Sequence, residues 1–509
     1  MVVSKPRIVI IGAGLAGLTA ANKLYKANGG NSFEVCIVEG GNRIGGRINT
    51  SEFGGDRVEL GATWIHGIGG SPVYELAQEL DALESNEPWE CMDGFLDDTI
   101  TIAENGYVLS PSLVDPISNL FKNLMDVAQG KRKYGGNGIV NMSVGSFLRR
   151  GLEDYWALES REDGNGNGNG NWNKKLLEEA IFAMEENIQR EYTGANDLLQ
   201  LDYKAESEYV MCPGEEITIA KGYSCIIESL ACVLPNGTIQ LGKKVCKIEW
   251  QCQHNDGARP VKLHFLDGTT LSADHVVVTV SLGVLKAGIS DSGILKFDPP
   301  LPDYKKDVIS RLGYGVVNKL FLELSPDFPY FSEFPFLQMV FHQSKSKDKN
   351  PKIPWWIRKT ASVSPIYKSS RVLLSWFAGE EALELETLSD EVILDQVSTT
   401  LSTFLSNSSE EKCNGNVIKN SSKLNLVKVL KTQWGHDPLF LGSYSYIAVG
   451  SSGSDMDSLA EPLPKSGSHP LQILFAGEAT HRTQYSTTHG AYFSGIREAN
   501  RLLEHYGLN

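Results

Sequence analysis

The sequence lacks the cysteine spacing of a disulfide-linked or metal-binding protein. Its 509 residues contain eight cysteines, and no two of them form a C-x-x-C pair. Isolated thiols offer no ligand set for a zinc ion, and scattered cysteines in a long chain are typical of a reducing compartment. We therefore predict no metal site and a cytoplasmic location.

Long apolar runs and an excess of positive charge are also missing. No segment reaches the roughly 18 apolar residues that a membrane helix needs, and the first strand follows "SKPR" without a secretory apolar stretch. The 62 Asp and Glu residues outnumber the 47 Lys and Arg residues, so the formal net charge is -15. Nucleic acids and anionic membranes attract cationic proteins. We predict neither as a partner, and the charge favours a cationic ligand.

The pattern that remains is that of a large α/β protein with two domains. An apolar strand, a glycine turn, an Ala- and Leu-rich helix and a second strand span 7–41, which predicts a βαβ unit. The Gly- and Asn-rich stretch 162–173 predicts a surface loop. Stretches that carry Trp, Pro and Glu interrupt the predicted strands and helices of the βαβ type, which predicts two domains. The dinucleotide-binding domain would consist of 1–90, 214–300 and 435–509. The inserted domain would consist of 91–213 and 301–434.

The glycine turn carries a G-x-G-x-x-G fingerprint formed by Gly12, Gly14 and Gly17. The first glycine permits a tight turn, the second lets the backbone approach a pyrophosphate, and the third allows helix and strand to pack closely. Glu39 closes the second strand, where an acidic residue is expected to bind a ribose hydroxyl. The Gly- and Arg-rich stretch 40–47 that follows favours FAD over a transient nicotinamide cofactor.

Four stretches together resemble the flavin-containing amine oxidases, most closely the plant polyamine oxidases: "RIVIIGAGLAGLTAANKL", "IVEGGNRIGGRI", "ELGATWIHG" and "FAGEATHRTQYSTTHGAYFSG". Within that group the chain is similar to the intracellular thermospermine and spermine oxidases. The resemblance implies an α/β fold with a Rossmann-like FAD-binding domain and an interleaved α+β substrate-binding domain.

The same resemblance assigns residues to a non-covalent FAD, because its last segment holds no cysteine for attachment. Arg47 would contact the pyrophosphate, Val245 the adenine, and Glu478 the ribityl chain. The remaining positions that it implies near the flavin are Gly61, Ala62, Thr63, Gly477 and Thr488.

Lys319 lies in the middle of "GYGVVNKLFLEL", whose other residues predict a buried β-strand. Alternation places Lys319 on the face of Val317 and Phe321, so an ammonium group points either at solvent or at something buried. The resemblance implies the second case, with Lys319 orienting a water beside the flavin. It also implies that His66 lies near the reacting amine as a neutral imidazole.

A polycationic substrate needs carboxylates for its charge and aromatic rings for its alkyl segments. Glu206, Glu208, Glu215 and Glu216 are all candidates, and the pattern leaves open which of them faces the substrate; the resemblance favours Glu208. It further implies four substrate contacts: Trp434, Tyr444, Ser486 and Thr487.

The expected reaction is oxidation of a polyamine, thermospermine or spermine, at a carbon next to a secondary amine. Hydrolysis of the imine would give a shorter polyamine and 3-aminopropanal, and dioxygen or another acceptor would take the electrons, with hydrogen peroxide formed from dioxygen. Two alternatives stay open: a non-catalytic flavoprotein that senses polyamines, and an oxidase of another amine such as methyl-lysine.

Overall fold

The computed structural model describes residues 5–30, 32–84, 99–132, 142–159, 172–252, 259–290, 293–327, 334–343, 352–367, 370–405, 424–467 and 469–508. The predicted domain boundary at 90/91 and most of the predicted loop 162–173 lie outside these residues. Within the described ranges, no helix is long and apolar enough to cross a membrane.

Apolar β-branched runs form most of the strands in the described ranges. In chain order they are β1 Arg7–Ile11, β2 Glu34–Val38, β3 Thr50–Phe53, β4 Asp56–Glu59, β5 Trp64–Ile65, β6 Thr99–Ala103, β7 Tyr107–Val108, β8 Ile217–Thr218, β9 Ile239–Gln240, β10 Val245–Glu249, β11 Val261–Phe265, β12 Thr270–Ala273, β13 His275–Val278, β14 Lys296–Asp298, β15 Gly313–Gly315, β16 Val317–Leu324, β17 Phe336–Val340, β18 Ser362–Pro365, β19 Val372–Ala378, β20 Leu426–Lys431, β21 Tyr444–Tyr446 and β22 Ile473–Phe475.

The α-helices of the described ranges lie between and beyond these strands. They are α1 Leu15–Lys26, α2 Pro72–Glu79, α3 Pro111–Ala128, α4 Val144–Glu159, α5 Lys174–Thr193, α6 Tyr203–Glu206, α7 Ser224–Cys232, α8 Leu282–Ile289, α9 Asp303–Arg311, α10 Glu380–Thr387, α11 Asp390–Leu405, α12 Gly453–Ala460 and α13 Thr488–His505.

One sheet is parallel and has the order β22-β13-β1-β2-β9, and other elements pack on both of its faces. Because strand side chains alternate, Ile8 and Ile10 pack with α1, α7 and α13 on one face, whereas Val9 and Ile11 pack on the other against the sheet β12-β11-β10-β14 and helices α8, α9 and α12. Both faces are covered, which is why β1 is apolar throughout. The α/β, Rossmann-like fold class is confirmed.

A second sheet has the order β20-β16-β19-β18-β17-β6-β7 and is largely antiparallel. On one face Leu320 and Leu322 of β16 pack with α10 and α11, and on the other Phe321 packs against Val58 of β4. The strands of this sheet come from 99–108 and 317–431, while those of the parallel sheet come from 7–38, 239–278 and 473–475. The domain division itself stays a prediction.

The turn between β1 and α1 shows why two of its glycines are required. Gly12 has φ +110°, which L side chains rarely adopt, and a Cβ on Gly17 would lie 2.1 Å from the Gly12 carbonyl oxygen. A Cβ on Gly14 would instead meet nothing nearer than 3.8 Å. Gly12 and Gly17 therefore serve the packing of the turn, while Gly14 leaves bare backbone.

We predict that Gly17→Ala lowers the free energy of unfolding by about 1–3 kcal/mol, because helix α1 must move off the turn to admit the methyl group. Gly14→Ala is the matched control and should change the stability of the apoprotein by less than about 0.5 kcal/mol. Denaturant unfolding of both variants measures the difference. Equal losses of stability would contradict this reading of the turn.

Candidate active site

One large cavity of about 950 Å³ lies between the two sheets. Of the residues predicted from the sequence, Gly17 and three of the four candidate carboxylates, Glu206, Glu208 and Glu215, do not line it. Those that do are Gly12, Gly14, Glu39, Arg47, Gly61, Ala62, Thr63, His66, Glu216, Val245, Lys319, Trp434, Tyr444, Gly477, Glu478, Ser486, Thr487 and Thr488. Segments separated by hundreds of residues therefore meet around one space.

At one end the cavity is built from backbone. Gly14 is the N-cap of α1 and supplies no side chain for the first-turn N–H groups, which are available to an anion. Gly46 approaches Gly14 so closely that a Cβ on Gly46 would lie 3.4 Å from the Gly14 Cα. The Gly45 N–H donates to the Ala13 carbonyl at 2.8 Å, which fixes this second glycine loop against the first.

Charged side chains that line the cavity are held by hydrogen bonds and an ion pair. The Glu39 carboxylate accepts hydrogen bonds from the N–H groups of Ala13 at 2.8 Å and Gly41 at 2.7 Å. Arg47 forms an ion pair with Glu478 at 2.9 Å, and Glu478 also accepts from Ser445 Oγ at 2.5 Å. Each group is therefore fixed in place beside the cavity.

These features fit a dinucleotide. An uncapped helix N-terminus and the facing glycines suit a pyrophosphate, Arg47 adds a cation, and Glu39 at the end of β2 suits a ribose. Val245 lines the cavity beside Lys243 and Lys244, on the side of the Glu39 loop.

Lys319 projects from β16 into the other part of the cavity and is 2% exposed. Its Nζ lies 2.5 Å from the Glu59 carbonyl, 2.8 Å from the Gly61 carbonyl and 2.5 Å from Thr63 Oγ1. Trp376, directly opposite on β19, places its ring centroid 4.6 Å from Nζ. The choice left by the sequence is settled, because this face of the strand is buried.

Burial lowers the pKa of Lys319 to about 7, while the nearby Glu59 carboxylate acts in the opposite direction. Glu59 is itself buried and accepts from the Tyr223 N–H at 2.8 Å and from Thr50 Oγ1 at 2.9 Å. A lowered pKa makes the neutral form of the amine more accessible near neutral pH than it is for a lysine in water. A neutral amine has a lone pair and can accept a proton from water or a hydroxyl group.

His66 faces Glu216 across a short ladder. Strand β5 pairs antiparallel with β8, Trp64 opposite Thr218 and Ile65 opposite Ile217, so the next pair outward is His66 and Glu216. Their Nδ1 and Oε1 atoms are 3.1 Å apart, and this hydrogen bond lowers the pKa of Glu216. A carboxylate only accepts, so Nδ1 carries the proton and Nε2 of a neutral ring keeps its lone pair.

Glu208, which the resemblance favours for the substrate, lies elsewhere. Its carboxylate pairs with Arg482 at 2.8 Å, and Arg482 also contacts Asp457 at 3.0 Å. Of the four candidate carboxylates, Glu216 is the one that lines the cavity. The structure thus brings Glu216, and not Glu208, next to His66.

Aromatic side chains wall the cavity, as expected. Trp434 is 9% exposed and its Nε1–H donates to the Leu60 carbonyl at 3.3 Å. The Tyr444 hydroxyl donates to the Glu191 carbonyl, and Glu191 also lines the cavity. Burial raises the pKa of the Glu191 carboxyl well above its usual value.

The segment before α13 lines the cavity mainly with atoms already bonded. The Ser486 hydroxyl donates to the Ser445 carbonyl, and the Thr487 hydroxyl accepts from the Gly490 N–H at 3.0 Å as the cap of α13. The Thr488 hydroxyl lies 2.6 Å from that of Tyr223. The predicted substrate contacts of Ser486 and Thr487 stay predictions, and their hydroxyls would have to share these bonds.

Comparison with known proteins shows the family of the chain. Residues 15–503 match the family model described as "Flavin containing amine oxidoreductase". The chain belongs to this family of flavin-containing amine oxidoreductases. FAD is therefore its cofactor, and the chain is an FAD-dependent oxidoreductase. The glycine loops, Glu39 and Arg47 are the residues that would hold it.

Curated relatives cover the chain almost end to end. "Probable polyamine oxidase 5" of Arabidopsis thaliana is 54% identical over 99% of both chains, and "Polyamine oxidase 1" of Oryza sativa subsp. japonica is 46% identical over 99% of this chain and 98% of its own. The human "Peroxisomal N(1)-acetyl-spermine/spermidine oxidase" is 34% identical over 98% of this chain and 95% of its own.

The chemistry of this amine oxidoreductase divides between cofactor and protein. FAD, when bound, supplies the acceptor for the two electrons of amine oxidation. With a substrate bound, His66 Nε2 would be available to take a proton from a reacting nitrogen and Lys319 would be available to orient a water. Trp376 and Trp434 are part of the apolar wall of the cavity.

Several lining residues were not singled out from the sequence: Glu191, Tyr192, Gln338 and Trp376. Glu191 and Tyr192 end helix α5, whose sequence gives no local sign of a ligand. Trp376 could have been found by pairing the apolar run "VLLSWFA" with the Lys319 strand, since the two residues are directly opposite.

We predict that the oxygen-dependent half of turnover requires a neutral amine at position 319. Lys319→Met and Lys319→Arg should both slow the return of the oxidised flavin absorbance in aerated buffer by about two orders of magnitude, since arginine stays charged. In the unsubstituted enzyme the rate should rise through about pH 7. Full activity of Lys319→Arg would show that positive charge, and not a neutral amine, is what the reaction needs.

Proposed function

We propose that the protein oxidises polyamines, with thermospermine and spermine as its preferred substrates. The observation that carries this proposal is a cavity in which Lys319 and His66 lie with the carboxylate of Glu216 and the aromatic rings of Trp376 and Trp434. A chain of ammonium and alkyl groups needs both anionic and apolar contacts. All three curated relatives described above are named for polyamine or acetylpolyamine oxidation.

The His66–Glu216 pair suits the two kinds of nitrogen in such a substrate. Glu216 is 39% exposed in its side chain and can accept a hydrogen bond from a substrate ammonium as well as from His66. The free Nε2 of His66 can accept a proton from the nitrogen next to the carbon that is oxidised. That nitrogen must be neutral, because only its lone pair can stabilise the cation that develops as hydride leaves.

We propose the following balance for the reaction. A C–H bond next to a secondary amine breaks and its hydrogen leaves as hydride, for which bound FAD would supply the acceptor. Water then hydrolyses the iminium ion to a shorter polyamine and 3-aminopropanal, with release of one proton. Dioxygen or another acceptor takes the two electrons, and hydrogen peroxide forms when dioxygen does so. The scattered cysteines support a cytoplasmic location for this back-conversion.

Anaerobic mixing of the FAD-loaded protein with thermospermine, spermine and spermidine, each in a separate experiment, tests the substrate class. We expect bleaching of the flavin by the tetraamines, a shorter polyamine and 3-aminopropanal among the products, and faster bleaching as the pH rises. Binding without bleaching would indicate a sensor, and bleaching only by a methyl-lysine peptide would move the substrate to another class.

Glu216→Gln should weaken polyamine binding by about 10- to 100-fold, the usual effect of losing a hydrogen bond between charged groups. The limiting rate of flavin bleaching should change much less. Glu215→Gln removes the same charge one residue away, outside the cavity lining, and is the matched control. Stopped-flow titration measures both quantities. An unchanged affinity in Glu216→Gln, with a loss in Glu208→Gln, would favour the residue chosen from the sequence.

A further inference from the structure

A buried carboxylate behind the cavity wall collects an unusual number of donors. Glu386, in the last turn of α10, has a side chain that is 1% exposed. Its Oε1 accepts from Asn318 Nδ2 at 2.6 Å and from the Gly435 N–H at 2.7 Å. Its Oε2 accepts from the His436 N–H at 2.9 Å and also pairs with His436 Nδ1.

The turn that donates these bonds is part of the wall of the cavity. Trp434 precedes Gly435, and its indole ring lines the cavity. The backbone N–H of Trp434 donates to Asn318 Oδ1 at 3.2 Å. Three successive backbone N–H groups, from Trp434 to His436, are thus held by Glu386 either directly or through Asn318.

The same contacts reach β16, the strand that carries Lys319. Asn318 precedes Lys319 on β16, and since side chains alternate, it faces α10 while Lys319 faces the cavity. Asn318 Oδ1 accepts from Thr432 Oγ1 at 2.9 Å, and that hydroxyl oxygen accepts from the Lys319 N–H at 2.8 Å. Glu386 is therefore two hydrogen bonds away from both Trp434 and Thr432.

The turn 434–436 packs closely against helix α10. A Cβ on Gly435 would lie 2.4 Å from Leu383 Cδ2 and 3.0 Å from Glu386 Oε1. On the cavity side, the Trp434 indole donates to Leu60, in the segment whose carbonyls at Glu59 and Gly61 bind Lys319. A shift of the turn would move the indole relative to these groups.

We propose that Glu386 is a positioning residue, which sets the place of the Trp434 indole and of the Lys319 strand in the active site. Glutamine cannot replace it, because an amide offers one acceptor oxygen and would turn an NH₂ group toward N–H donors. The inference concerns residues beyond those of the proposed function, and only its kinetic test depends on that function.

Near-ultraviolet circular dichroism of the FAD-loaded protein tests the position of the indole without any substrate. The difference between the unsubstituted protein and Trp434→Phe isolates the signal associated with Trp434. A second difference spectrum, between Glu386→Gln and Glu386→Gln/Trp434→Phe, gives the Trp434 signal in the absence of the Glu386 carboxylate. We expect this second spectrum to have about half of the intensity of the first, or less. An unchanged difference spectrum would overturn the proposal.

Glu381→Gln separates positioning from a general loss of stability. Glu381 is a second carboxylate of α10, 1% exposed, and pairs with Arg190 and Lys359 instead of the 434–436 turn. We expect this variant to lower the melting temperature while leaving the Trp434 difference spectrum intact. Should Glu386→Gln fail to fold, His436→Ala, which removes an imidazole that is 61% exposed, should still reduce the spectrum measurably. No reduction would contradict the proposal.

The kinetic test uses the same pair of substitutions. Glu386→Gln should lower the limiting rate of flavin bleaching by spermine about ten-fold, but by less than about two-fold when Trp434→Phe is already present. Equal losses in both backgrounds would show that Glu386 does not act through Trp434. If spermine bleaches none of the proteins, the proposed function fails, while the circular dichroism result still decides on positioning.

Discussion

The contact on which the active site depends is the one between the Lys319 amine and the segment 59–63. The lysine belongs to the sheet on one side of the cavity, and its three oxygen partners belong to the last residue of β4 and the chain that follows it on the other. Removing an amine from water is costly unless it is hydrogen-bonded. The bonds that offset this cost also join the two sides and place a titratable nitrogen inside the cavity.

The surroundings of the Lys319 amine determine its pKa. Burial disfavours its charged form and the nearby Glu59 carboxylate favours it, with the result that the pKa of Lys319 is lowered. The ring face of Trp376, 4.6 Å from Nζ, is a further contact that suits a cation. A lysine poised in this way differs from the paired Arg47 at the other end of the cavity, which stays a cation. One cavity thus contains a guanidinium that stays charged and an amine whose pKa is lowered.

The features that the sequence predicted correctly are those that depend on a local pattern of residues. Gly12, Gly14 and Gly17 lie in the turn that the fingerprint requires, and alternation in β16 placed Lys319 correctly on the face of Phe321. It could not predict that β5 pairs with β8, because two-residue strands have no periodicity, so Glu216 was not distinguished from Glu208. Glu386 was missed for a related reason, since its partners lie about 50 and 68 residues away.

The protonation state of Lys319 tests the account most directly. Nitrogen-15 resonance of protein labelled at the lysine side chains, with Lys319→Met to assign the signal, gives its titration in the FAD-loaded enzyme. The account predicts a midpoint near 7. A midpoint near 10.4, as in an unperturbed lysine, would contradict it, because a permanently charged amine could not accept a proton or present a lone pair in the cavity.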